Sequence, residues 1–209
     1  MPALPRLPAV LEPAESLESA YRASFSGVSA EPVVEEWAPE QCRFEKASFS
    51  GTHFEGTTIV DCVIVESDLA NAVFTSSGMR RVSVTGSRLT GLTFAGGMVR
   101  DVTFTSSKMD LVNFRASVFK DVAFADCELT KADFAGADLR GAVFTDCTLT
   151  AAQFSNAKLS GARFARCALD GIGGLASFAG AQVLPADLHA LTELMASALG
   201  IQLLKDGEL

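Results

Sequence analysis

The 209-residue sequence lacks the usual signals of a membrane protein or a disulfide-stabilised secreted domain. No run approaches the roughly 18 consecutive apolar residues that a membrane helix requires. The first residues lack a charged start followed by an apolar segment, so no signal peptide is indicated and we expect a cytoplasmic protein. The five cysteines are odd in number and include no CxxC pair, which argues against a disulfide framework or a zinc site.

Catalytic and cofactor motifs are also missing from the sequence. It has no recognisable Ser-His-Asp arrangement, no glycine-rich phosphate loop ending in Gly-Lys, and no dinucleotide-binding spacing. Its two histidines, His53 and His189, stand apart from any such motif. We therefore expect a protein that is not an enzyme and that uses no cofactor and no metal.

The net charge of −8 is carried by the two ends of the chain. Residues 1–41 hold seven acidic and two basic side chains, and residues 172–209 hold four acidic and one basic. The stretch between them has fourteen of each sign and is neutral. Direct nucleic-acid binding is disfavoured, because phosphate contacts need a basic surface.

A large apolar residue recurs at every fifth position from Phe44 to Leu169, which makes 26 repeats without a skip. A second residue, mostly small, precedes each large one by two positions, from Cys42 to Cys167. A period of five fits neither a helix at 3.6 residues nor a strand at 2. It predicts a chain that turns a corner after every five residues. Both columns then point inward, and Gly, Asn or Asp is favoured at the corners.

These repeats resemble the pentapeptide repeat family, most closely at 132–136 and 137–141. The resemblance implies an all-β solenoid, the right-handed quadrilateral β-helix, in which four repeats form one coil of 20 residues. On that basis the 26 repeats of residues 42–171 make about 6.5 coils, because each coil contains four repeats. The cysteines fall in the small inward column and are expected to be buried core residues.

The two ends are predicted to close the solenoid, whose raw strand edges would otherwise invite aggregation. Residues 1–41 are interpreted as an N-terminal lead and cap. Phe25 lies in a repeat-like segment one residue out of register, so 23–41 could form an irregular first coil. Residues 172–209 are interpreted as a C-terminal cap or dimerisation segment.

A helix is predicted over 185–199, with Pro185 near its first turn and Gly200 after its end. Its apolar stripe could cap the last coil or pair with the same stripe of a second chain. The family resemblance favours the second arrangement, a homodimer through the C-terminal end. The stripe consists of Leu184, Leu188, Leu191, Met195 and Leu199.

Charged side chains also form columns on the predicted coils. A basic column indicates either a stripe for an acidic partner or a ladder of ion pairs, such as Arg100 with Asp101. It consists of Arg80, Arg100, Lys120 and Arg140.

An acidic stretch follows the basic one along the rod. Its members are Asp121, Asp126, Glu128, Asp133, Asp138 and Asp146. Of these, Asp126, Glu128 and Asp146 should meet at one corner of the coil. Like charges stacked without partners cost stability, so this cluster indicates a partner-binding use. The alternative is an ordinary solvated surface.

Two hypotheses about function remain open at this stage. Some pentapeptide repeat proteins are similar to B-form DNA in width and acidity, bind bacterial DNA gyrase and confer resistance to quinolones or other gyrase poisons. The resemblance implies such a DNA-mimicking topoisomerase modulator, although the neutral repeat body departs from that pattern. The alternative is a structural scaffold or interaction module for another protein partner.

Overall fold

A computed structural model describes residues 1–201 of the chain, and its strands coil around one core. Within this range the strands are β1 Glu12–Pro13, β2 Ala23–Ser26, β3 Val33–Glu35, β4 Arg43–Glu45, β5 His53–Glu55, β6 Thr58–Val65, β7 Val73–Thr75, β8 Gly78–Thr85, β9 Met98–Thr105, β10 Val118–Ala125, β11 Val143–Thr145, β12 Arg163–Ala165 and β13 Gln182–Val183. One sheet has the order β1-β2-β4-β6-β8-β9-β10-β11-β12-β13, and a second consists of β3, β5 and β7. All of these pairings are parallel, which confirms the predicted β-solenoid.

The strand register shows directly that four repeats form one coil. Phe104 lies opposite Phe124, Phe124 opposite Phe144, and Phe144 opposite Phe164, each pair being 20 residues apart. Their rings stack inside the coil, with centroids 4.7 Å apart for Phe124 and Phe144 and 4.9 Å for Phe144 and Phe164. The large residue of each repeat therefore points inward, as the period of five predicts.

The corners of the coil lie two positions after each large inward residue, where the backbone takes a positive φ. The predicted preference for Gly, Asn or Asp at the corners is only partly followed. Within residues 1–201, twenty non-glycine residues have positive φ, including Leu111 at 58° and Lys131 at 57°. The neighbouring coil holds these corners in place, since Lys131 donates its backbone N–H to the carbonyl of Thr150 at 2.9 Å. Bonds of this kind offset the cost of a left-handed conformation.

Irregular coils extend the solenoid beyond residues 42–171 at both ends. Phe25 lies opposite Phe44, and Phe164 lies opposite Val183, so each terminal coil has 19 residues instead of 20. This single missing residue is why Phe25 falls out of the five-residue register. With these coils the solenoid has about 8 turns, against the 6.5 that the regular repeats provide.

The C-terminal helix is shorter than the predicted 185–199. The chain forms a 3-10 helix over Asp187–Leu191 and then the α-helix α1 over Thr192–Ala198. The first turn is tied to the last regular coil, because Asp187 Oδ2 accepts the backbone N–H of Cys167 at 3.0 Å. Tight turns of this type are common where a helix begins. Two further 3-10 helices span Leu17–Ser19 and Leu175–Phe178.

Candidate protein-binding surfaces

Three of the predicted acidic residues do meet on the surface. Asp126, Glu128 and Asp146 line one shallow groove of about 360 Å3, which we call the acidic groove. Asp126 and Asp146 are successive corner residues, both with φ of 54°, and Glu128 follows two positions after the first of them. The spacing of 20 residues therefore places these carboxylates correctly from the sequence alone.

The carboxylates of the acidic groove do not stack without partners, contrary to the sequence-based expectation. Arg166 donates to Asp146 through Nε at 2.6 Å and Nη2 at 2.8 Å, and this bond lowers the pKa of Asp146. Lys108 Nζ lies 3.4 Å from Glu128 Oε2. Asp126 accepts the hydroxyl of Ser106 at 2.9 Å. The groove is thus largely neutralised by basic side chains that the coil places one rung away.

The other three predicted acids lie apart from this groove. Asp133 pairs with Arg115 at 2.9 Å. Asp138 accepts two bonds from Arg140, at 2.8 and 2.7 Å, which lower the pKa of its carboxyl group. Among residues 1–201, Asp121 forms no ion pair. The repeat body therefore carries no continuous acidic stripe, which a surface that imitates DNA would need.

Unpaired acidity is concentrated at the N-terminal end of the solenoid instead. A groove of about 770 Å3 lies there, and five glutamates contribute to its lining. In the described part of the chain none of them forms an ion pair. These residues are Glu15, Glu18, Glu31, Glu35 and Glu36.

A different surface combines exposed apolar and basic side chains. Met98 on β9 and Val118 on β10 are neighbours in the ladder and are 60% and 43% exposed. Two residues further along these strands lie Arg100 on β9 and Lys120 on β10. Arg80 takes the matching position on the neighbouring strand β8, so the three basic residues form one column. We call these five residues the basic–apolar face. Its strands are eight residues long, so the face is extended and regular.

The basic column of this face is not a simple ladder of ion pairs. Arg100 lies 3.4 Å from Asp101, while Arg80 and Lys120 form no ion pair with any residue in the described range. Arg140, the fourth predicted member, pairs with Asp138 and lies beyond the three long strands. Three stacked positive charges with one weak partner leave a net positive surface.

Sequence reasoning found the basic residues of this face but missed Met98 and Val118. The position immediately before each large inward residue points outward and is usually polar or half-buried. Met98 and Val118 are apolar at that position, and this signal was available in the sequence. Met and Arg are enriched in the central parts of protein–protein interfaces, and an exposed apolar cluster beside positive charge is typical of a binding surface.

The predicted dimerisation stripe divides into two parts. Leu191 is buried against the core and helps to cap the last coil. The other four residues remain at least 38% exposed, and Leu199 reaches 77%. They are Leu184, Leu188, Met195 and Leu199. Leu191 thus fits the predicted use as a cap of the last coil, and the other four residues leave an apolar surface for the predicted pairing with a second chain.

The five cysteines are free thiols buried in the inward column. No group of histidine, cysteine and acidic side chains within residues 1–201 is arranged to hold a metal ion. In the same range, no helix has both the length and the apolar character that crossing a bilayer requires.

Comparisons with known proteins found one family model and several similar solved structures. A family model described as "Pentapeptide repeat region" matches residues 77–154 and 98–173. No curated protein matches the chain. Among solved structures, a trypsin-treated form of QnrB1, described as a plasmid-mediated fluoroquinolone resistance protein, is 21% identical over 87% of this chain and 99% of QnrB1, with a TM-score of 0.47.

HetL is a second similar structure. It is described as a pentapeptide repeat protein involved in heterocyst differentiation regulation, from the cyanobacterium Nostoc sp. strain PCC 7120. It is 16% identical over 78% of this chain and 83% of HetL, with a TM-score of 0.45. The family match, the unbroken five-residue register and the 20-residue coil agree with one another, and residues 77–173 form a pentapeptide repeat region.

Proposed function

We propose that this chain is a non-enzymatic, protein-binding β-helix whose main contact surface is the basic–apolar face. The observation that carries this proposal is the exposure of Met98 and Val118 beside Arg80 and Lys120, which have no acidic partner within residues 1–201. A partner with an acidic, partly apolar surface would cover the two apolar side chains and pair with the basic ones. Such charge complementarity favours fast and selective association.

The proposal is tested by site-specific crosslinking in a bacterial lysate. A photo-reactive benzoylphenylalanine replaces Met98 in one protein and Thr148, in the acidic groove, in another. We expect a protein partner to be captured at position 98 and not at 148. The purified partner should then bind the Arg80→Glu/Lys120→Glu variant at least about tenfold more weakly than the wild type, a loss of about 1.4 kcal/mol. Unchanged affinity would refute the proposal for this face.

A DNA-mimicking modulator of DNA gyrase is the second candidate. The convergence of Asp126, Glu128 and Asp146 in one groove favours it, and the pairing of Asp146 with Arg166 and of Glu128 with Lys108 weighs against it. This candidate predicts inhibition of gyrase supercoiling, or protection from a quinolone, at micromolar protein. Reversing the three charges should abolish the effect. No effect at tens of micromolar protein would leave the interaction module as the better description.

We also propose that the chain forms a homodimer through its C-terminal end. Leu188 and Met195 are exposed on the outer side of the cap that buries Leu191, and a second copy could cover them. Sedimentation should show a dimer for the wild type and a monomer for Leu188→Glu/Met195→Glu. The variant Ser197→Glu, at an exposed polar position of α1, should remain dimeric. A monomeric wild type would end this proposal. The cytoplasmic location stays a prediction.

A further inference from the structure

The first eleven residues lie along one corner of the solenoid. The corner residues there are Asp61, Arg81, Asp101 and Asp121, one on each successive coil, with φ between 51° and 54°. We call them the corner column. Arg6 donates its backbone N–H to Asp61 Oδ1 at 3.0 Å, and Ala3 donates its backbone N–H to Asp101 Oδ1 at 3.2 Å. The segment therefore runs against the direction in which the coils advance.

The two bonds are spaced so that the repeat distance of the segment matches that of the solenoid. Ala3 and Arg6 are three residues apart, which is one turn of a polyproline II helix, or about 9 Å. Asp61 and Asp101 are two coils apart, which is about 10 Å at the β-ladder spacing of about 4.8 Å. In an extended proline-rich chain, every third backbone N–H group can thus lie opposite every second coil of the solenoid.

The prolines of this segment follow the same period. Pro2, Pro5 and Pro8 are three residues apart, and all three are half-buried. Ala3 and Arg6, by contrast, have exposed side chains, while their N–H groups bond to the solenoid. One face of the segment therefore consists of proline rings against the solenoid. Since proline has no N–H, these positions leave no donor unpaired.

Burial of the corner column follows the path of this segment. Asp61 is 3% exposed, an unusual value for a charged corner residue, and Asp121, beyond the reach of the segment, is exposed. Asp61 also accepts Nε of Arg81 at 2.6 Å and a second bond from Nη2 of the same guanidinium group. A carboxylate this deeply buried, paired on one side and facing a backbone N–H on the other, is a built acceptor site.

We propose that the corner column is a binding groove for an extended, proline-rich peptide, and that the chain's own first eleven residues occupy it. Asp61 and Asp101 recognise two backbone N–H groups three residues apart, and the prolines between them provide the contact face. An outside peptide of this class competes with the chain's own segment. The groove borders the basic–apolar face, because Arg80 and Arg100 each precede a corner residue, but its test does not depend on that face.

Two full-length double variants distinguish the effect of the two backbone hydrogen bonds from other effects of changing the segment. Ala3→Pro/Arg6→Pro removes both N–H donors and keeps the polyproline geometry. Leu4→Pro/Arg6→Ala also adds a proline and removes the arginine charge, but it keeps both donors. The probe is a fluorescein-labelled peptide with the sequence of residues 1–10, and its binding is measured by fluorescence anisotropy.

The donor-free variant should bind the peptide at least about tenfold more tightly than the wild type, because its own segment no longer fills the groove. Leu4→Pro/Arg6→Ala should behave like the wild type. Adding Asp101→Ala to the donor-free variant should remove most of this binding. In the wild type, hydrogen exchange at Ala3 and Arg6 should be slower than in the free peptide. Equal peptide binding by the two double variants, or exchange as fast as in the free peptide, would overturn the proposal.

Discussion

The regular coils and the two ends of the solenoid stabilise their aromatic residues in different ways. Within the coils a ring such as Phe134 has a copy on both sides, Phe114 at 5.7 Å and Phe154 at 5.3 Å. At the C-terminal end Phe178 is half-buried and packs against the rings of Phe154 and Phe164, with no phenylalanine coil beyond it in the described range. The coils gain stability by repetition, whereas the ends depend on contacts that occur once.

The N-terminal end shows the same dependence on single contacts. Trp37 packs against three phenylalanine rings of the first coils, with centroids 5.5 to 5.9 Å away. Its indole Nε1 donates to the carbonyl of Leu17 at 3.0 Å, which ties the preceding segment down over the end of the core. An indole that is apolar on its faces and polar at one edge suits such a boundary. The three rings belong to Phe44, Phe49 and Phe54.

The largest expected effect tests the body of the solenoid. Phe134→Ala should destabilise the protein by roughly 3–5 kcal/mol, because it empties a slot that is closed by rings above and below. The free energy of unfolding, measured by chemical denaturation, provides the check. A loss below about 1 kcal/mol would mean that the coils collapse around the gap, and the contrast with the ends would fail.

The matched substitution at the end sharpens this comparison. Phe178→Ala removes the same atoms from a ring that is only half-buried. We expect a loss of about 1–2 kcal/mol, since partial burial contributes a fraction of the full transfer free energy. If Phe178→Ala costs as much as Phe134→Ala, the C-terminal end is as tightly packed as the coils.

Repetition also explains why the sequence predicts the body of the solenoid far better than its ends. A side chain such as Phe124 repeats the environment of Phe104 and Phe144, so its inward position follows from the period alone. Ion pairs between residues 20 apart, such as Arg166 with Asp146, follow from the same spacing. The bond from the Arg6 backbone to Asp61 has no such pattern, because any residue has an N–H group. The first turn of the C-terminal helix depends likewise on one carboxylate, Asp187.

An intermediate effect tests the junction between the first residues and the body. Asp61→Asn should cost about 1.5–3 kcal/mol at pH 7, the range for hydrogen bonds to charged groups, because Arg81 and the Arg6 backbone lose a charged acceptor. Asp121→Asn, at the exposed position of the same column, should cost almost nothing. Denaturation of both variants beside the wild type measures the difference.

The pH dependence of this difference has a defined sign. The bonds from Arg81, and then that from the Arg6 backbone, hold the pKa of Asp61 below its ordinary value. The stabilisation is therefore complete above the unfolded-state pKa of about 4 and is lost as the pH falls through the lower folded-state pKa. The wild type and Asp61→Asn should approach equal stability in acid. A gap that stays constant down to pH 2 would show that the carboxylate charge is not responsible.

A small effect is expected one residue away from the largest. Asp133 is adjacent to Phe134 but points outward, where Oδ2 pairs with Arg115 at 2.9 Å and Oδ1 accepts the Ala135 N–H at 2.9 Å. Asp133→Asn keeps the second acceptor and should change stability by no more than about 0.5 kcal/mol, since surface ion pairs contribute little. Asp133→Ala loses both bonds and should still cost less than about 1 kcal/mol. A melting series of the three proteins at low and high salt checks this. If Asp133→Ala costs as much as Phe134→Ala, the outer columns stabilise the coil as much as the core does, and the distinction between them is lost.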